Sequence, residues 1–99
     1  MKQLNRLYVL VREDLNLTYA GVQAGHAVAK FMLEFPGIWC NTTLIYLRIK
    51  NEDKLIEWRD KLIVRGIPYA LFREPDLMNQ ATAVAVLSDG NIFKNVKLL

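Results

Sequence analysis

The stretch from Leu7 to Phe35 constrains the fold more than any other part of the chain. It opens with five apolar residues in a row, Leu7-Tyr8-Val9-Leu10-Val11, the pattern of a strand buried on both faces rather than one with a wet side. The polar cluster Arg12, Glu13, Asp14 then marks where that strand leaves the core. A turn over Asp14 to Thr18 follows, in which Asn16 or Thr18 can cap a helix by accepting a backbone N–H. The helix is expected over about Tyr19 to Glu34, with Ala20, Ala24, Ala27, Val28, Phe31 and Phe35 as its buried stripe. A doubly buried strand followed by an amphipathic helix is the opening of an α/β fold. In such sheets ligands bind just beyond the carboxyl ends of parallel strands.

The remaining chain continues the alternation. Pro36-Gly37 ends the first helix, and Thr43 to Ile49 reads as a strand of β-branched, aromatic and aliphatic residues. Asn51 caps a second helix with Glu52 and Asp53 in its first turn, where negative charge favours the dipole. Leu55, Trp58 and Leu62 form its buried line, Glu57 and Lys61 are spaced to pair, and Gly66 ends it. Ile67 to Phe72 and Thr82 to Leu87 are the third and fourth strands, joined by a loop through Arg73-Glu74-Pro75-Asp76 and Met78-Asn79-Gln80. The order is βαβαββ, with two helices able to make right-handed crossovers; the direction of the last strand stays open. A tail with one or two helical turns is expected over Ile92 to Leu99.

Residues 1–99 form a single domain. A hydrophobic fraction of 53% against 23% charged residues argues for a folded globule. No apolar run approaches the ~18 residues of a membrane span, and no charged n-region precedes an apolar segment as in a secretory signal. Cys40 has no cysteine partner, and with one histidine in the chain no metal site and no cofactor is expected. A cytoplasmic location follows as the expectation. The formal charge of +3 permits an anionic partner without demonstrating one.

Two constellations can carry chemistry. Tyr19, Gln23, His26 and Lys30 lie along one helix face, either as the solvent side or as a line of donors at the rim of a cleft near the helix N-terminus. His26 is the member suited to proton transfer near neutral pH. Beside them Gly21, Gly25 and Ala29 make a second line of small residues, serving either tight packing or the close approach of a ligand; each helical glycine costs ~1 kcal/mol relative to Ala. The second constellation pairs the strand-end clusters Arg12-Glu13-Asp14 and Arg73-Glu74-Pro75-Asp76. If the first and third strands are parallel, two Arg and up to four carboxylates meet at one edge of the sheet. Such crowding raises carboxylate pKa values through like charge or lowers them beside Arg. No Ser-His-Asp set, P-loop or Rossmann glycine fingerprint is present.

Val11-Arg12-Glu13-Asp14-Leu15 followed by Gln23-Ala24-Gly25-His26-Ala27 resembles the opening of the type II peptidyl-tRNA hydrolase family, whose pattern is Val-Arg-x-Asp-Leu and then Ala-Gln-x-x-His-Ala. Val22 stands where that pattern has its first Ala. The likeness covers about the first 35 residues and continues more loosely to Asp76 and Thr82, which match an acidic loop and a Thr-led strand. It implies a three-layer α/β/α domain around a four-stranded mixed sheet. It also implies metal-free hydrolysis of the ester joining a peptide to the tRNA 3′ end. On the matched positions His26, Asp76, Gln23 and Thr82 are the implied catalytic set: Asp76, Glu74 or His26 as general base, Gln23 and Thr82 orienting the ester. Arg12, Asp14, Tyr19, Lys30, Arg73 and Glu74 are the implied substrate-binding set. Two departures stand out. The family's Gly-Lys before the first helix has no counterpart, Tyr19 being nearest, and the loop around Glu74-Pro75-Asp76-Leu77 is shortened.

The rival reading is a non-catalytic domain of the same fold that binds RNA, a nucleotide or a protein. A third, a ferredoxin-like regulatory subunit, requires antiparallel neighbours. Exposed helix faces on so small a core also point to a homodimer.

Overall fold

The structure, a computed structural model, describes residues 6–99; the polar start, Met1 to Asn5, lies outside the described residues. Four strands and two long helices make an α/β domain: β1 (Arg6–Arg12), α1 (Leu17–Glu34), β2 (Thr43–Ile49), α2 (Glu52–Val64), β3 (Tyr69–Glu74) and β4 (Gln80–Ser88). Short 3₁₀ turns follow β3 (Pro75–Leu77) and β4 (Asn91–Phe93). The strands form one mixed sheet in the order β2-β1-β4-β3. β1 pairs in parallel with β2, while β4 is antiparallel to both β1 and β3. β1 and β3 therefore point the same way although β4 lies between them, and their carboxyl ends share one end of the sheet.

The local signals explain the elements. Asn16 caps α1, its side chain accepting from the Tyr19 N–H at 2.9 Å, and Asn51 caps α2 by accepting from the Lys54 N–H at 3.0 Å. Gly66, at φ +67°, takes the left-handed conformation just past α2 that a side chain resists. The pleat sends Leu7, Val9 and Val11 into one apolar cluster with Ala20, Ala24, Ala27 and Phe31 of α1. Tyr8 and Leu10 enter a second cluster with Leu55 and Leu62 of α2.

Three local readings change. β3 and β4 start two residues away from the expected positions, β3 later and β4 earlier, so that Glu74 ends a strand and Gln80 begins one. The tail forms a single 3₁₀ turn and then runs beside β2, where the Arg48 N–H donates to Lys97 O at 2.9 Å and the Leu99 N–H to Tyr46 O at 3.0 Å. This blunts one sheet edge. Lys61 lies over the Trp58 ring at 4.5 Å, and Glu57 instead pairs with Lys54 at 3.4 Å, one turn in the other direction.

Candidate functional site

The site is organised by an irregularity in the sheet. Along β3 and β4, Phe72 lies opposite Ala83 and Arg73 opposite Ala81, so Thr82 is an extra residue with no partner across the ladder. Such a bulge breaks the alternation of side chains. Ala81 belongs to the α2-side cluster and Ala83 to the α1-side cluster; Thr82, between them, also turns toward α1 and meets Gln23. The Thr82 hydroxyl donates to Gln23 Oε1 at 2.6 Å, and Gln23 Nε2 donates to Glu74 Oε1 at 2.9 Å. Thr82 and Gln23 are fully buried and Glu74 nearly so. The result is a polar chain running from the sheet through the helix to a carboxylate at its end.

Gln23 is thus not on the solvent side. It stands three residues after Ala20 and four before Ala27, and this spacing aligns it with the core stripe as well as with the polar line. Both readings were available to periodicity, and a buried partner on β4 decided between them.

Around Glu74 the remaining candidates fall into place. The Asp76 N–H donates to Glu74 Oε2 at 3.3 Å. Hydrogen bonding from Gln23 holds the Glu74 carboxyl below its ordinary pKa against the opposing effect of burial, with the Asp76 N–H, the charge of His26 and the Tyr19 phenol adding to it. Tyr19 is shifted up, first by its own partial burial and then by the negative charges of Glu74 and Asp76. His26 is exposed, its ring stacked on Phe72 at 4.6 Å and 9°. Lys30 Nζ donates to Leu71 O at 2.8 Å on the outer strand β3. Lys30, Glu34, Tyr69, Leu71, Phe72 and Arg73 line a groove of about 540 Å³ beside that strand. Arg73 donates to Asn79 O at 3.2 Å, in a turn where Met78 and Asn79 both have positive φ.

The two strand-end clusters share an end of the sheet but not a face. Arg12 follows Leu10 in the pleat and points toward α2, where it feels the charge of Glu52. It makes two bonds to the Asp14 carboxylate, at 3.0 and 2.8 Å, and reaches Gln80 Oε1 at 2.9 Å and Ala81 O at 3.1 Å. The hydrogen bonds from Arg12 hold Asp14 below its ordinary pKa. Glu13 turns to Arg48 at 3.8 Å. The expected merger of two Arg with several carboxylates is therefore divided by the sheet itself. Arg12 is only 7% exposed, and its guanidinium is occupied by four acceptor atoms of the protein. The two small-residue positions also differ from the packing expectation: a Cβ built at Gly21 or Gly25 meets nothing within 4 Å.

Sequence reasoning missed Phe72, Gln80 and Glu52. Glu52, read as a dipole acid, accepts from the Ala81 N–H at 2.6 Å and so secures the backbone beside the bulge. Only a partner far along the chain distinguishes that role from capping. Among the described residues no cluster of three or more His, Cys, Asp or Glu side chains is placed to hold a metal ion, and no helix is long and apolar enough to cross a membrane.

No protein-family model and no curated protein matches the chain. A solved structure of a protein of unknown function, Atu0240 from Agrobacterium tumefaciens, is similar over 100% of this chain and 99% of its own. The TM-score is 0.73 at 13% sequence identity, a likeness of fold alone.

Proposed function

We propose that the α1 face at the common end of β1 and β3 is a hydrolytic site for the peptidyl-tRNA ester, in the manner of the type II peptidyl-tRNA hydrolases that Val11–Leu15 and Gln23–Ala27 resemble. The observation that carries this reading is the Thr82–Gln23–Glu74 chain, which gathers the resembling positions Gln23 of α1 and Thr82 of β4 around the carboxylate of Glu74 at the end of β3. Thr82 and Gln23 are too deeply buried to touch an ester, so their part is to fix Glu74. His26, exposed and seated on Phe72, takes a proton from water as the water oxygen attacks the ester carbonyl carbon. Glu74 stabilises the resulting imidazolium, and the proton passes to the ribose oxygen as the ester C–O bond breaks. Lys30 and Arg73, beside the groove along β3, are the cations near that position. In this reading the apolar clusters on either side of the sheet make a three-layer α/β/α domain, the protein is cytoplasmic, and tRNA is its partner.

A homodimer belongs to the same proposal. The outer face of α1 carries Val22 and Leu33, 51% and 83% exposed, beside Gly21 and Gly25. The second reading, a non-catalytic binding domain, is favoured by Tyr19, whose phenol lies against Glu74 where the resembling enzymes carry lysine nearby. Discharge of a labelled peptidyl-tRNA separates the two. Turnover by the wild type that is lost in His26→Ala and reduced in Glu74→Gln supports hydrolysis. No turnover at high protein concentration refutes it and leaves binding.

A further inference from the structure

We infer that a second surface, on the α2 side of the same end of the sheet, holds the phosphate backbone of RNA. A groove of about 520 Å³ is lined by Arg48, Lys50, Lys54, Lys97, Glu13 and Trp58, with Ile49, Asn95 and Val96 completing it. Four cations against one carboxylate give it a formal charge of +3, equal to the net charge of the whole chain, so the rest of the sequence sums to zero. That concentration turns a mild overall bias into a local field for a polyanion. The counter-charges present are weakly engaged: Glu13 is 3.8 Å from Arg48, and Glu57 pairs with Lys54 at 3.4 Å on exposed side chains. Glu52, the acid at the head of α2, is turned away to the Ala81 N–H.

The groove reads backbone rather than bases. Trp58 walls it, but its ring already packs on Phe93 at 5.2 Å and under Lys61 at 4.5 Å, which leaves no free face for a base to stack on. Continuity with the hydrolytic site comes through the β1–α1 turn, where the Glu13 N–H donates to Ile49 O at 2.8 Å. From β2 to β3 is three strand spacings, ~14 Å, or about four phosphates along one strand of a duplex. The choice of RNA among polyanions rests on the proposed function; the charge argument does not.

Binding of a fluorescent RNA duplex with a 3′ single-stranded end tests this by anisotropy, without reference to catalysis. Three net charges give a slope of about −2.7 in log affinity against log salt, a loss of about 40-fold between 50 and 200 mM salt. Lys50→Gln with Lys97→Gln leaves one net charge and a loss of only about 3.5-fold over the same range. Arg6→Gln with Arg65→Gln removes the same charge at positions outside the groove lining and keeps the 40-fold loss. All four side chains are exposed, so the variants fold. Equal weakening by both pairs, absence of binding at 50 mM salt, or preference for phosphatidylserine vesicles over RNA overturns the inference. RNA binding with the expected salt slopes but no ester turnover sustains the groove and refutes the hydrolase. Turnover indifferent to the Lys50/Lys97 pair, with unchanged RNA affinity, does the reverse.

Discussion

Replacing Thr82 by Val removes a single hydroxyl from the centre of the site while keeping the side chain's shape. The hydroxyl donates to Gln23 Oε1 at 2.6 Å, and both residues are fully buried, so no solvent takes its place. Its other contact, Phe72 O at 3.5 Å, is too long to add much to the loss. The variant loses a hydrogen bond with a net value of ~1 kcal/mol and leaves a buried amide oxygen without a donor, at ~1–3 kcal/mol. Val recovers part of this because no polar group of its own is desolvated. The expected net loss is about 1–2 kcal/mol, which lowers the melting temperature by about 4–16 °C in a domain of this size. Urea unfolding followed by circular dichroism measures it as a lower midpoint at unchanged slope. A double-mutant cycle with Gln23→Met then gives a coupling of at least ~0.5 kcal/mol. A Thr82→Val protein as stable as the wild type within ~0.5 kcal/mol, or an additive cycle, would refute the claim that the buried Thr82–Gln23 bond holds the site together.

Glu74→Gln flattens the acid limb of the stability curve. Because the folded carboxyl titrates below its unfolded value, the unfolded chain binds more protons in that window. The contribution is complete above the ordinary Glu value of ~4.3 and is lost as pH falls through the folded one. Asp14 acts with the same sign in both proteins, so the difference between their denaturation midpoints from pH 6 to pH 2 isolates Glu74; parallel curves would contradict the assignment. Asn16→Ala removes the α1 cap and costs ~1 kcal/mol in thermal or urea unfolding, whereas Asn16→Asp is close to neutral. Val22→Glu with Leu33→Glu converts the proposed homodimer to a monomer in analytical ultracentrifugation; a wild type that sediments as a monomer at high concentration ends that proposal.

By itself the sequence determined what short-range chemistry determines. Alternation and apolar runs placed β1 and β2, asparagine caps and glycine stops bounded the helices, and the stripe of Ala20, Ala24, Ala27 and Phe31 gave α1 its buried face. These signals live within a few residues of one another, where helix and strand periods differ enough to be told apart. The tertiary structure alone decided the direction of β4, the covering of β2 by the tail, and the bulge that turns Thr82 toward Gln23. It also placed Arg12 and Glu74 on opposite faces of one sheet end, although each belongs to a similar cluster of charges. Which face a side chain takes depends on register with a partner strand, and a single extra residue reverses it. Register is a property of pairs distant in sequence, and so it was written only when the strands met.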